Sequence, residues 1–187
     1  MNALENWCCS TSFWRWLTRK RLLPWLLGRA DLGNHLLEIG AGPGAATAEL
    51  RKLVTRVTSL EYDHASAVRL VQKNGNGAGV VQGDAAALPF ADCTFSSAVA
   101  VLVLHHLRSS EQQDRAFAEV HRVLRPGGRF IAFEIQDGWF HRVIHTNSAF
   151  VPVQPAALAP RLTTAGFAGV TVDYRPGGFR FGASRQN

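Results

Sequence analysis

The chain has 187 residues, of which 47% are hydrophobic and 18% charged, and its net charge is +6. This length and composition exclude a disordered chain and predict one globular domain over 1–187. A membrane span would need about 20 uninterrupted apolar residues, which the chain lacks, and basic residues interrupt its start where a secretory signal would lie. Cys8, Cys9 and Cys93 have neither disulfide nor metal-ligand spacing, so we expect a reducing, cytoplasmic environment.

Strand-like and helix-like stretches alternate along the chain. An N-terminal helix is predicted over 12–21, capped by Ser10, Thr11 or Ser12 and ending before Pro24. The following elements are strand 35–40, helix 45–54, strand 56–61, helix 64–74, strand 80–83, strand 95–104, helix 111–124, a turn at 125–128, strand 129–135, helix 156–165, and a hairpin of strands 170–174 and 179–183. The pattern predicts an α/β fold: a doubly wound, mostly parallel seven-stranded sheet with a C-terminal antiparallel hairpin. A helical extension (1–34) precedes this core (35–187).

The glycine-rich sequence LEIGAGPG (37–44) lies between the first strand and the following helix. Gly40, Gly42 and Gly44 let the backbone turn sharply and approach a ligand closely, and the helix N-terminus suits a carboxylate or a phosphate. Gly40-x-Gly42-x-x-Ala45 also fits the dinucleotide fingerprint, which keeps an NAD-dependent oxidoreductase as an alternative.

Three acidic residues lie in or directly after the first three predicted strands. Glu38 lies inside an apolar strand, where it must be hydrogen-bonded or face a cation. Glu61 ends the second strand, where an acid can accept from ribose hydroxyls. Asp84 follows the third strand and is placed to hydrogen-bond an adenine edge.

Five motifs in order, LEIGAGPG, LEYD, GDAAALPF, VLHHL and VLRPGGRFIAFE, resemble those of class I S-adenosylmethionine-dependent methyltransferases with a Rossmann-like fold. The type 11 methyltransferases, which include quinone-biosynthesis enzymes, are the most similar, clearly over 35–135 and loosely over 155–185. The resemblance implies S-adenosylmethionine as cofactor and S-adenosylhomocysteine as product. It implies that Glu38 and the loop Gly40, Ala41, Gly42 and Gly44 surround the methionine part. It further implies that Glu61 binds the ribose, Tyr62 packs on the adenine, and Asp84 and Ala85 bind the adenine edge.

His105 and His106 follow the fourth strand at the edge where open α/β sheets bind ligands. Either imidazole is a candidate general base, or one is a buried structural residue and the other is solvated. Methyl transfer itself depends mainly on in-line positioning, so a base is needed only for a protonated acceptor. Glu134 is predicted to anchor a neighbouring loop. The sequence predicts no metal site.

Four tryptophans, Trp7, Trp14, Trp16 and Trp25, lie among basic residues near the start of the chain. In similar methyltransferases this segment often closes over the cofactor, so Trp14 is a candidate acceptor-binding residue. The segment could instead pack on the sheet, or its residues 1–30 could contact a membrane peripherally.

The acceptor is predicted to be a small molecule or lipid-like. His106 and Trp139 are further candidates for its binding, because segment 136–155 is rich in aromatic and histidine residues. The net positive charge is concentrated in 1–35 and 138–187, where it could attract an anionic substrate, a nucleic acid or a membrane, or belong to an ordinary solvated surface. The fourth strand is not followed by the Asn/Asp-Pro-Pro-aromatic motif of nucleic-acid amino-methyltransferases, which argues against nucleic acid as a substrate. A non-catalytic nucleoside-binding module remains an alternative.

Overall fold

The computed structural model describes residues 11–75, 79–138, 142 and 149–186. Its centre is a seven-stranded sheet with the order β3-β2-β1-β4-β5-β7-β6. The strands are β1 (His35–Ile39), β2 (Arg56–Glu61), β3 (Val80–Gln82), β4 (Phe95–Val101), β5 (Leu124–Ile135), β6 (Phe167–Arg175) and β7 (Gly178–Arg185). The first five are parallel, and β7 pairs antiparallel with both β5 and β6. The predicted doubly wound sheet and its terminal hairpin are confirmed.

Helices cover both faces of the sheet. They are α1 (Ser12–Leu17), a π-helical turn (Thr18–Leu22), α2 (Leu23–Leu27), α3 (Thr47–Leu53), α4 (His64–Asn74), a 3-10 turn (Leu104–His106), α5 (Ser110–Val123) and α6 (Pro155–Thr164). One apolar cluster joins α5 and α6 to the sheet through Phe117, Val120, Leu158 and Leu162. A second cluster joins α2 and α3 to it through Leu23, Leu26 and Leu50. Every residue of β1 is buried, as expected for a central parallel strand covered on both faces.

The N-terminal helix differs from its predicted form. Thr11 caps α1 as predicted, because its hydroxyl accepts from Trp14 N at 3.1 Å. The helix does not end before Pro24, however: it continues through the π-helical turn into α2, whose first turn contains Pro24. Proline is tolerated there because first-turn N–H groups need no helical partner. We call residues 12–27 the N-terminal helical segment.

Two cation–π contacts join the N-terminal helical segment to strands β6 and β7. The guanidinium carbons of Arg175 and Arg180 lie 4.6 and 5.2 Å from the centre of the Trp25 ring. Arg180 also donates to the backbone carbonyl of Trp25 and pairs with Asp173 at 2.9 Å. Because Arg180 belongs to β7, the first helices and this late strand are joined directly.

Two predicted boundaries near the middle of the chain are also wrong. Residues 125–128 do not form a turn before the fifth strand but lie within β5, where the pairing with β4 changes register between Phe95 and Ser97. The glycines and proline are therefore accommodated as a strand irregularity. Strand β4 ends at Val101, and Leu102 then adopts a left-handed conformation, with φ of 56°, which turns the chain into the 3-10 turn.

The sheet order determines where a ligand can bind. Strands β1 and β4 are adjacent, while the chain winds outward from β1 to β3 on one side and from β4 to β5 on the other. A crevice opens at such a switch point, beyond the carboxyl ends of the strands. The glycine-rich loop follows β1 and therefore lies at this crevice.

Candidate functional site

Gly40 brings the glycine-rich loop close to the loop that follows β4. Its φ is +68°, and a Cβ at this position would lie 2.2 Å from Val103 Cγ2. The N–H groups of Gly40 and Ala41 both donate to Leu60 O, at 2.9 and 3.1 Å. Only glycine fits between these two loops, so the close approach predicted for this motif is a packing requirement within the protein itself.

Gly42 has a different environment. Its φ is +50°, and no atom of the described residues lies within 4 Å of the position that a Cβ would occupy. Its N–H donates to Glu61 Oε2 at 2.7 Å. The loop thus presents open space at Gly42, so a ligand could lie directly against the backbone.

Glu38 is a buried carboxylate below this loop. Its Oε2 accepts from the hydroxyls of Thr47 and Ser59, both at 2.7 Å. Burial nevertheless raises the pKa of Glu38 above its ordinary value, because the two hydroxyls compensate only part of the lost hydration. A cationic ligand group next to Glu38 would stabilise its charged form.

The remaining predicted cofactor residues extend along the carboxyl ends of β2 and β3. Glu61 is buried and also accepts from Asp63 N, at 2.9 Å. Asp84 Oδ1 accepts from Ala86 N at 2.8 Å, and the Tyr62 side chain is exposed. The N–H of Gly83, before Asp84, donates to Glu61 O at 3.0 Å, so the ends of the two strands are linked.

A small cavity of about 60 Å³ lies at the switch point. Its floor is Glu38 and the glycine-rich loop, one wall is the end of β4, and its roof is Trp14 and Thr18 from the N-terminal helical segment. The structure thus brings together Glu38, Gly40, Ala41, Gly42 and Trp14. Gly44, Glu61, Tyr62, Asp84 and Ala85 do not line this cavity.

Thr18 is a candidate site residue that the sequence did not indicate. It is 1% exposed, and among the described residues its Oγ1 is the buried side-chain oxygen or nitrogen without a hydrogen-bond partner. An unpartnered buried hydroxyl is costly, and Thr18 also begins the π-helical turn, a geometry frequent at functional sites. A threonine among basic and aromatic residues carries no pattern that could have revealed this position.

The loop after β4 is held by one carboxylate. Glu134 Oε1 accepts from the N–H groups of Val103 and Leu104, at 3.0 and 2.7 Å, and Glu134 Oε2 lies 2.5 Å from His105 Nδ1. Both side chains of this pair are buried. This geometry agrees with the predicted anchoring role of Glu134 and makes His105 part of that anchor.

His106 lies beside this anchor and is half-buried. Its ring centre is 4.2 Å from that of His105, and its Nδ1 is 3.4 Å from Ala149 O. Neither histidine lines the cavity. A chemical role for either residue stays a prediction.

Three other predictions concern sites beyond the cavity. Trp139 lies outside the described residues, and its proposed contact with the acceptor stays a prediction. Over the described ranges, groups of three or more His, Cys, Asp or Glu able to hold a metal are not found. In the same ranges, no helix is long and apolar enough to cross a membrane.

Curated proteins are similar to this chain in sequence over about two thirds of its length. Demethylmenaquinone methyltransferase of Mycobacterium tuberculosis is 34% identical over 126 residues, which cover 65% of this chain and 47% of that protein. The chain spans about half the length of the curated relatives it matches.

Solved structures share the fold at lower identity. The PH0226 protein of Pyrococcus horikoshii superposes with a TM-score of 0.79 at 15% identity, covering 96% of this chain and 94% of that one. Phosphoethanolamine N-methyltransferase 2 of Haemonchus contortus, solved with S-adenosyl-L-methionine, gives a TM-score of 0.76 at 14% identity, covering 98% and 56%. The sequence profile of the methyltransferase domain matches residues 37–132, about half of the chain. The predicted family is confirmed, and the chain belongs to the type 11 methyltransferase domain family.

Proposed function

We propose that this protein transfers a methyl group from S-adenosylmethionine to a small-molecule or lipid-like acceptor. The observation that carries the proposal is the cavity at the switch point, where open backbone at Gly42 lies beside the buried carboxylate of Glu38. The unpartnered Thr18 hydroxyl in the roof indicates that a polar ligand group completes this site. These features fit the methionine part of the cofactor, which combines an ammonium, a carboxylate and a sulfonium.

The proposed cofactor contacts follow from the donors and acceptors present. Glu38 would face the ammonium group, and the backbone of Gly40 and Gly42 would lie against the chain that leads to the sulfonium. Glu61 already accepts two backbone N–H groups, but an ionised carboxylate has about four acceptor sites. Lone pairs therefore remain for ribose hydroxyls. The exposed ring of Tyr62, with Asp84 and Ala85, would form the adenine site.

The protein's part in the reaction is mainly positioning. When bound, S-adenosylmethionine supplies an activated methyl group, which the acceptor takes by in-line displacement, leaving S-adenosylhomocysteine. The loop held by Glu134 fixes one side of the cavity, and Trp14 covers another and excludes water. His105 and His106 lie next to this loop and would take up a proton only where the acceptor carries one.

The N-terminal helical segment would act as a lid over this site. The cavity of about 60 Å³ is far smaller than the 300–1,000 Å³ typical of ligand pockets. We expect Trp14 and Thr18 to move away from the glycine-rich loop when a ligand enters, and to return when the site closes. We propose that the acceptor enters along the same roof, so that Trp14 contacts both ligands.

Two observations support an apolar acceptor. The similar Mycobacterium protein is named a demethylmenaquinone methyltransferase, and the cavity is lined by the aromatic ring of Trp14 and by apolar residues that include Ile39, Val101 and Leu102. A cytoplasmic location stays a prediction, as does the exclusion of nucleic acid as a substrate.

Calorimetry with S-adenosylhomocysteine, S-adenosylmethionine and NADH tests the cofactor. We expect both sulfur nucleosides to bind and NADH not to bind; the reverse result would contradict the proposal and favour a nicotinamide enzyme. Incubation with methyl-labelled S-adenosylmethionine and fractionated cell extract then tests turnover. Label in an organic-soluble fraction supports the proposed acceptor, whereas tight binding without any transfer would indicate a non-catalytic nucleoside-binding module.

A further inference from the structure

The N-terminal helical segment has two different faces. Trp14 and Thr18 line the cavity, whereas Phe13 and Trp16 point away from it and are 69% and 51% exposed. The two exposed rings stack on each other, with centres 6.0 Å apart. Closing a lid over the cavity requires only the inner face. The outer aromatic pair therefore needs a separate explanation.

Basic side chains surround the exposed aromatic pair. Four of them lie on the same segment and are exposed: Arg15, Arg19, Lys20 and Arg21. Two more, Lys52 and Lys73, are exposed on the neighbouring helices α3 and α4. The Nζ of Lys73 donates to Pro43 O at 2.9 Å, and Pro43 lines the same cavity as Trp14, so this end of α4 lies near the N-terminal helical segment.

Among the described residues, one acidic side chain pairs with members of this group. Glu49 pairs with Lys52 at 2.8 Å and with Arg19 at 3.7 Å. A single carboxylate cannot neutralise six basic side chains, so the surface stays strongly positive. We call Phe13, Trp16 and these six basic residues the aromatic–basic surface.

This combination of groups fits the surface of an anionic lipid bilayer. Tryptophan rings favour the boundary between headgroups and hydrocarbon, and lysine and arginine are attracted to anionic headgroups. An RNA partner could use the same charges, but phosphate contacts do not require exposed apolar rings. Rings that stack on each other also offer fewer free faces to bases than separated rings would. Contact with lipid hydrocarbon requires only exposed apolar surface, which the rings of Phe13 and Trp16 provide.

We propose that the aromatic–basic surface binds anionic membranes, with Phe13 and Trp16 inserted among the headgroups. The cavity then lies one helix diameter, about 10 Å, from the bilayer. Movement of the segment would open the cavity toward the membrane, so a lipid-like acceptor could enter without crossing water. This last step rests on the proposed function, whereas the membrane binding itself does not.

Sedimentation with lipid vesicles tests the proposal on the full chain. We expect binding to vesicles that contain phosphatidylglycerol, and much weaker binding to vesicles of phosphatidylcholine alone. Removing both rings with Phe13→Ser and Trp16→Ser should weaken the binding at least about tenfold. Lys20→Gln and Arg21→Gln should each weaken it about fivefold. Equal binding to both kinds of vesicle, or unchanged binding by the variants, would overturn the proposal.

Two control variants test whether exposed aromatic or basic residues elsewhere on the protein also contribute to vesicle binding. Tyr174 is 59% exposed on β6, and Arg129 is exposed in β5 at the end of the sheet away from the cavity. Tyr174→Ser and Arg129→Gln should bind vesicles like the unmodified protein. Equal losses in these controls would mean that binding is not located at the aromatic–basic surface. Tighter binding to a single-stranded RNA oligonucleotide than to anionic vesicles would also overturn the proposal.

A spectroscopic measurement covers the case in which a variant fails to fold. In the unmodified protein, brominated phosphatidylglycerol should quench tryptophan emission, and Trp16→Phe, which keeps an aromatic ring, should reduce that quenching. Unchanged quenching would contradict insertion of Trp16. Calorimetry with S-adenosylhomocysteine keeps the two proposals distinguishable: cofactor binding without vesicle binding refutes only membrane docking, and vesicle binding without cofactor binding refutes only the proposed function.

Discussion

Substitution of Gly42 by alanine tests whether the cofactor lies against the glycine-rich loop. A non-glycine residue in the left-handed region costs about 1–2 kcal/mol, and Gly42 has φ of +50°. Within the part of the chain that the structure describes, no atom lies within 4 Å of the new methyl group, so no steric clash from these residues adds to this cost. The free energy of unfolding should therefore fall by about 1–2 kcal/mol, which lowers Tm by roughly 2–8 °C in a protein of this size.

The effect on ligand binding should be larger than the effect on stability. The methyl group would occupy the open space in which we place the cofactor, so affinity for S-adenosylhomocysteine should fall at least about tenfold. Gly177 offers a matched control, because its φ is +91° and its Cβ position is equally open, but it lies in the turn between β6 and β7. Gly177→Ala should lose similar stability and keep full affinity.

Urea unfolding and calorimetry on the same preparations give both quantities. If Gly42→Ala loses stability but binds S-adenosylhomocysteine as tightly as Gly177→Ala does, then the cofactor does not approach this backbone. The proposed position of the methionine part would then be wrong.

Three further substitutions probe the groups around the cavity. Thr18→Val removes an unpartnered buried hydroxyl and should raise the free energy of unfolding by about 1 kcal/mol. The same variant should bind the cofactor more weakly. Lower stability with unchanged affinity would contradict a role of this hydroxyl in cofactor binding. Because burial raises the pKa of Glu38 above its ordinary 4.5, its charged form opposes folding at higher pH. Glu38→Gln should therefore gain in Tm relative to the unmodified protein as pH rises above 4.5 and lose cofactor affinity, and a Tm difference that does not change with pH would refute this explanation. Glu134→Gln weakens a charge-assisted contact with His105 and should cost about 1.5–3 kcal/mol in urea unfolding; a loss below about 0.5 kcal/mol would mean that the loop after β4 does not depend on this pair.

The sequence predicted the structure best at positions where the residue type is compatible with few local environments. An acid inside an apolar strand must be hydrogen-bonded, and Glu38 is, through two hydroxyls. Glycines between a strand and a helix indicate a close approach, and Gly40 has one, although its neighbour is Val103 of the protein itself. The buried parallel strands could likewise be predicted because their apolar runs admit few other structures.

Other features depend on tertiary context that no local pattern carries. Pro24 usually indicates a helix end, but here the π-helical turn places it in the first turn of α2. The Arg-Pro-Gly-Gly sequence at 125–128 is typical of a turn, yet pairing with β4 draws it into β5. Thr18 became a candidate only when the fold showed that none of the described groups satisfies its hydroxyl.

The contacts of Arg175 and Arg180 with Trp25 also bear on the order in which parts of the protein assemble during synthesis. The hydrogen bond from Arg180 to the Trp25 carbonyl spans 155 positions of the chain, and contacts this distant in sequence form late because a long loop must close first. The N-terminal helical segment is synthesised before β7, so it can pack on the earlier strands through Leu23 and Leu26 before its contacts with Arg180 form. The roof over the cavity therefore gains its contacts with β7 late, and a nascent chain should hold the cofactor more tightly once β7 has joined the sheet.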